Sequence, residues 1–107
     1  MIMSIQPIDD CITENSLECK DMIYMSPRGK VLDKNTASEL SKKDEITVLC
    51  GHYEGVDQRA LDKYAFREIS IGDYILTGGE IPAMALIDCV ARLVPGVLSS
   101  EEAAINE

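Results

Sequence analysis

The chain has no tryptophan and one phenylalanine among its 107 residues. Its hydrophobic fraction is nevertheless 46%, so its core is predicted to consist of Ile, Leu, Val, Met and Ala side chains. It has no apolar run approaching the roughly 20 residues that a membrane-spanning helix needs. Residues Met1–Ile5 lack the basic region and the long apolar core of a signal peptide. We therefore predict one small cytoplasmic domain.

The chain also lacks paired metal-binding cysteines. Its four cysteines stand at Cys11, Cys19, Cys50 and Cys89, none of them in a C-x-x-C pair, and its single histidine is not at metal-ligand spacing from any of them. A structural zinc site is not expected. In a cytosolic chain these side chains are predicted to be reduced thiols, with Cys50 and Cys89 acting as small core residues.

Positive charge is scarce and scattered. Ten Lys and Arg residues stand against 19 Asp and Glu residues, which gives a net charge of −9. This composition taken alone disfavours a polyanionic partner. The chain contains neither G-x-G-x-x-G after a strand nor G-x-x-x-x-G-K-[ST], so the dinucleotide and triphosphate fingerprints do not apply. We therefore expect a neutral or zwitterionic ligand rather than a polyphosphate.

The apolar pattern alternates between helix and strand periodicity. This alternation predicts an α/β domain with a mainly parallel sheet. Asp33 is in position to cap the second helix. In chain order, helices are predicted over residues 4–17, 34–43, 56–64 and 80–94, and strands over residues 21–25, 45–50, 66–71 and 74–76.

Three glycine- or proline-containing loops each follow a predicted strand: Ser26–Gly29, Gly51–Gly55 and Gly72–Gly79. Ligands of open α/β sheets bind beyond the carboxyl ends of the strands. Glycine lets the main chain approach a ligand closely, so these loops predict a cleft lined largely by backbone. The residues alone leave open a second interpretation, in which the glycines only permit tight connections.

Two long segments carry a specific resemblance. Residues 49–59, LCGHYEGVDQR, and residues 68–84, EISIGDYILTGGEIPAM, closely resemble the bacterial tRNA (guanine-N1)-methyltransferases, which belong to the knotted SPOUT class of S-adenosylmethionine-dependent enzymes. The match continues through residues 86–88 and 91–98. Residues 24–30, YMSPRGK, resemble the first cofactor loop of that family. The resemblance covers nearly the whole chain.

The resemblance implies a fold and an assembly. The expected fold is α/β with a mainly parallel sheet and a deep trefoil knot, and the family forms an antiparallel homodimer. The strongly apolar helix from Ile81 to Val94 needs cover on more than one side, which a dimer would supply. Because family members are about twice as long, residues 1–98 are interpreted as a core lacking the N-terminal strands. Residues 99–107 are interpreted as the start of an interdomain linker, with the C-terminal domain absent.

The resemblance also implies an activity. A methyl group would pass from S-adenosyl-L-methionine to N1 of the guanosine next to a tRNA anticodon, with Mg²⁺ as a further candidate cofactor during catalysis. Two alternatives are kept. One is a catalytically silent module that binds S-adenosylmethionine. The other is a small-metabolite-binding domain without methyl-transfer chemistry.

The three loops would contact the cofactor. Adenine needs an apolar slot with main-chain donors and acceptors at its edge, and the glycines give access to them. The residues that the resemblance places against the cofactor are Tyr24, Met25, Ser26, Pro27, Gly51, Tyr53, Glu54, Gly55, Ile71, Gly72, Tyr74, Leu76, Gly78, Gly79 and Pro82.

Three residues match positions implied to act in catalysis: Arg92, Glu54 and Glu107. A cation at Arg92 would stabilise charge that develops on guanine O6 as N1 loses its proton, although its i,i+4 spacing from Asp88 also fits a surface ion pair. Glu54 and Asp73 would bring carboxylates near the sulfonium or a metal ion. Glu107 stands where the family has its aspartate base. As a terminal glutamate it is expected to be poorly placed, and a chain of net charge −9 without a basic patch offers little affinity for tRNA. We therefore expect this chain alone not to methylate tRNA at a useful rate.

Overall fold

The computed structural model describes residues 3–51, 55–72 and 74–98. In chain order the elements of these residues are α1 (Ile5–Glu14), β1 (Met22–Val31), α2 (Lys34–Ser41), β2 (Thr47–Leu49), α3 (Gln58–Lys63), β3 (Arg67–Ser70) and α4 (Glu80–Ala91). The three strands are parallel and form a sheet in the order β2-β1-β3. The prediction of an α/β domain with a parallel sheet is confirmed.

The register between β1 and β3 breaks at the predicted Ser26–Gly29 turn. Ile69 is the partner of both Met25 and Lys30, so the four intervening residues leave the ladder. Gly29 then passes directly over β3: a Cβ at this position would lie 2.6 Å from Ile69 N and closer still to the Glu68 carbonyl group. Only glycine fits such an approach. The predicted turn therefore also makes a close backbone contact with β3.

Helices cover both faces of the sheet because side chains alternate along each strand. Ile23, Met25 and Ile69 pack with side chains from α2 and α4, among them the fully buried Leu86. On the opposite face, Met22 packs with α1 and α3 through Ile8, Ile12 and Ala60. Aliphatic side chains thus dominate both clusters, as the scarcity of aromatics predicts.

One predicted element needs correction. Residues 74–76 were predicted as a strand because all three are apolar or aromatic. In the structure they lie in a loop, and Ile75 is 77% exposed. The predicted placement of Cys50 and Cys89 is confirmed, since both are partly buried against the cluster between the sheet and α2 and α4.

Asp33 caps α2 as predicted. Its Oδ1 accepts a hydrogen bond from the backbone N–H of Thr36 at 2.8 Å. That hydrogen bond, followed by one from the Thr36 side chain, lowers the pKa of Asp33 below its ordinary value of 3.8. The carboxylate therefore stabilises the folded state fully above pH 3.8, and this contribution disappears as the pH falls through the lowered folded value.

We expect Asp33→Asn to remove that pH dependence, because asparagine keeps a capping oxygen but has no titrating proton. Urea unfolding midpoints measured from pH 6 to pH 2 should converge for the two proteins at the acidic end. The wild-type protein should lose its advantage below pH 3.8. A constant difference across the whole range would show that the Asp33 charge does not stabilise α2.

Helix α4 is apolar on two faces. Ala83, Leu86 and Val90 are buried in the core, whereas Ile81, Met84 and Ile87 remain 65%, 66% and 53% exposed. We call these last three residues the α4 outer face. Within the described residues, no helix is long and apolar enough to cross a membrane.

Candidate functional site

A cavity of about 710 Å³ opens beside the Ser26–Gly29 segment within β1 and beyond the carboxyl ends of β2 and β3. The three predicted loops meet there, which is the position expected of a ligand site in a parallel sheet. Twelve of the fifteen predicted cofactor residues line it: Tyr24, Ser26, Pro27, Gly51, Gly55, Ile71, Gly72, Tyr74, Leu76, Gly78, Gly79 and Pro82.

Backbone contacts hold the second and third loops together. Gly79 N donates a hydrogen bond to Gly51 O at 2.7 Å. A Cβ on Gly79 would lie 3.0 Å from Cys50 Cα and 3.1 Å from Gly51 N. The absence of a side chain at Gly79 therefore permits this junction, at which both glycines line the cavity.

Two buried serines fix the loops where they leave the strands. The Ser70 hydroxyl donates to Gly72 O at 2.8 Å and accepts from Gly72 N at 3.0 Å. The Ser26 hydroxyl accepts from Arg28 N at 3.2 Å. Such short-range hydrogen bonds are characteristic of serine turns, and they give the cavity edge a defined shape before any ligand binds.

Helix α4 begins at the cavity edge. Gly79 is its N-cap residue, and Pro82 lies in its first turn and lines the cavity. Proline fits there because the first-turn N–H groups have no helical partner. The sequence pattern G-G-E-I-P therefore explains both the close loop junction and the start of the helix.

Other cavity-lining residues were missed by the sequence analysis. Asp57 caps α3 through Arg59 N at 2.9 Å and pairs with the Arg59 guanidinium at 2.7 Å. The Arg59 side-chain hydrogen bond, followed by the backbone one, lowers the pKa of Asp57. An aspartate immediately before a helix is a recognisable capping signal. The remaining lining residues outside the prediction are Ser4, Arg28, Val56, Gln58, Leu61, Glu68, Ile69, Ser70 and Ile75.

The Tyr24 hydroxyl lies in a charged part of the cavity wall. Burial raises the pKa of Tyr24, the nearby Glu68 carboxylate raises it further, and Arg28 acts in the opposite direction. The phenol therefore stays protonated at neutral pH and can donate or accept a hydrogen bond. The alternation of side chains along β3 was a sequence signal for the position of Glu68. Because the neighbouring Ile69 is buried on one face of the sheet, the Glu68 side chain must lie on the other face.

Not every predicted site residue lies at the cavity. The Met25 side chain packs in the core beside α2 and α4 and does not line the cavity. Arg92 follows the last turn of α4, where its N–H donates to Asp88 O at 3.2 Å, and it is not a lining residue. The predictions for Tyr53, Glu54, Asp73 and Glu107 lie outside the described residues.

The described residues contain no group of three or more His, Cys, Asp or Glu side chains arranged to hold a metal ion. Glu54 and Asp73, on which the prediction of a metal rested, are outside that set.

Comparisons with known proteins agree on one family. A family model described as "tRNA (Guanine-1)-methyltransferase TrmD" matches residues 1–107. The tRNA (guanine-N(1)-)-methyltransferase of Ruminiclostridium cellulolyticum is 54% identical over 100% of this chain and 47% of its own length. The proteins of the same name from Flavobacterium johnsoniae and Clostridioides difficile are 51% and 49% identical, again over all of this chain and 48% of their own lengths. The chain thus spans about half the length of the curated relatives it matches.

Proposed function

We propose, from the premise that this chain belongs to the tRNA (guanine-1)-methyltransferase family, that its cavity binds S-adenosyl-L-methionine. The observation that carries the proposal is the meeting of three loops at one edge of the parallel sheet. The cavity volume of about 710 Å³ is in the range of small-molecule sites. Its main-chain groups near Gly51 and Gly79 suit the edge of an adenine ring.

The proposed reaction is transfer of the methyl group to N1 of the guanosine next to a tRNA anticodon. The S–CH₃ bond breaks as the N1–CH₃ bond forms, the electron pair remains on sulfur, and the N1 proton passes to a base. The cavity would contribute by orienting the donor for in-line displacement. We propose that Arg92 stabilises the charge that develops on guanine O6, that Glu54 places a carboxylate near the sulfonium or a metal ion, and that Glu107 is the base. A tRNA substrate supports a cytoplasmic location.

We further propose that two copies of the chain associate as an antiparallel homodimer through the α4 outer face. Three large apolar side chains are more than half exposed there, at spacings that place them along one side of the helix. An apolar stripe of this kind on a small domain marks an interaction surface. A second copy would cover it with an identical stripe.

A trefoil knot is the proposed topology of the loops. The support is the close backbone approach of Gly79 to the Cys50–Gly51 segment, together with that of Gly29 to β3. Glycines are needed where chain segments cross at such short range.

The experiment that tests the function is methyl transfer from radiolabelled S-adenosylmethionine to an unmodified tRNA transcript. A transcript with adenosine in place of the target guanosine is the control. We expect a full-length relative to label guanosine N1 in the first transcript and not in the second, and this chain alone to give label on the first transcript at a rate far below that of the relative. Donor binding without transfer would select the silent binding module, and absence of donor binding would contradict the proposal.

A further inference from the structure

Glu68 stands beside Tyr24 on the cavity wall. The two residues are Cα partners in the parallel pairing of β1 with β3, so their side chains emerge on the same face of the sheet. Both line the cavity. Tyr24 is only 8% exposed, and its pKa responds to the Glu68 charge, which places the carboxylate close to a desolvated surface.

The backbone of Glu68 is held from two sides. Its neighbour Ile69 is 1% exposed and anchored in the core. Gly29 rests directly against the Glu68–Ile69 peptide on the other side. A residue fixed in this way presents its side chain from a rigid strand rather than from a loop, which suits a group that must meet a ligand at a defined place.

Residue Glu68 is half-buried, and in the described parts of the chain its carboxylate makes no hydrogen bond or ion pair. A partly desolvated charge without a partner is unfavourable. The other carboxylate among the described residues of the cavity wall, Asp57, already pairs with Arg59. Among these two, Glu68 is therefore the one whose charge is available to a ligand.

We propose that Glu68 selects a cationic ligand by pairing with the positive charge of a bound adenosine derivative. This inference rests on the proposed function, which identifies that derivative as the methyl donor. The donor carries two cationic groups, a sulfonium and an α-ammonium. Pairing with either group would favour the donor over neutral adenosine thioethers that fit the same slot.

Calorimetric titration of the 107-residue chain with three ligands tests the proposal. S-adenosylmethionine carries both cations, S-adenosylhomocysteine keeps only the ammonium, and 5′-methylthioadenosine has neither. We expect Glu68→Gln to weaken binding of S-adenosylmethionine about tenfold, as loss of one partly screened charge pair would, and to leave 5′-methylthioadenosine within about twofold. Glu45→Gln is the matched control because Glu45 is exposed and outside the cavity.

The pattern over the three ligands identifies the cation. A loss confined to S-adenosylmethionine supports pairing with the sulfonium, and an equal loss for S-adenosylhomocysteine supports pairing with the ammonium. Equal losses for all three ligands, no loss for any, or the same selective loss in Glu45→Gln would overturn the inference while leaving the proposed function intact. If the folded wild-type chain bound none of the ligands, the proposed function and this inference would both fail.

Discussion

Replacing Gly79 with valine is expected to weaken binding of S-adenosylmethionine at least tenfold and to destabilise the fold by about 1–3 kcal/mol, the usual range for overpacking. The added side chain would meet Cys50 Cα at 3.0 Å and Gly51 N at 3.1 Å. These are backbone atoms, which cannot turn away as a side chain can. The second and third loops must then separate, and the hydrogen bond from Gly79 N to Gly51 O is lost with them.

Adjacent Gly78 provides the matched control for this effect. A Cβ there would meet the carboxylate of Glu80, the mobile end of a flexible side chain, and approach Gly51 O only to 3.4 Å. Gly78→Ala should therefore cost less stability and less affinity than Gly79→Ala. Urea unfolding and equilibrium dialysis with labelled S-adenosylmethionine measure both quantities. Equal effects of the two alanines would refute the claim that the Gly79 junction shapes the cavity.

Met84→Glu is expected to convert a dimer into a monomer without unfolding it. Met84 is 66% exposed in the single chain, and methionine and glutamate have similar helix propensities. In a dimer through the α4 outer face, the substitution would bury two unpaired carboxylates. A cost of about 3 kcal/mol or more is expected for such burial, which raises the dimer dissociation constant at least about 100-fold.

Light scattering across a concentration series measures this change. Val31→Glu serves as the control, since Val31 is 55% exposed but lies at the end of β1 rather than on α4. It should leave the dimer intact. A wild-type chain that stays monomeric at high concentration with α4 folded, or a variant that dimerises as well as the wild type, would rule out this interface.

Local patterns in the sequence were sufficient to predict most of the fold. The Asp33 cap and the presence of the four helices follow from capping chemistry and apolar spacing. Residues 74–76 were wrongly predicted as a strand because apolar composition does not reveal whether a partner strand is available. The order β2-β1-β3 depends on contacts between distant segments, which periodicity does not encode.

The candidate site was predictable where glycine and proline mark the loops. Twelve predicted residues line the cavity, and the glycine pattern with the resemblance was sufficient to identify them. Glu68 was missed because it looks like an ordinary polar residue of a half-buried strand. Its position depends on the register that places it beside Tyr24 and on the close approach of Gly29, and both are tertiary features.

Mapping of the donor on the folded chain by NMR tests the central claim most directly. At 11.8 kDa, the chain gives resolvable backbone amide signals in an ¹⁵N-labelled sample. Titration with S-adenosylmethionine should shift the amides of Gly51, Gly78 and Gly79 in a saturable manner, together with those of Ser26, Arg28 and Gly29, and leave α2 unchanged. Absence of saturable shifts, or shifts centred on α2, would contradict the assignment of this cavity as the methyl-donor site.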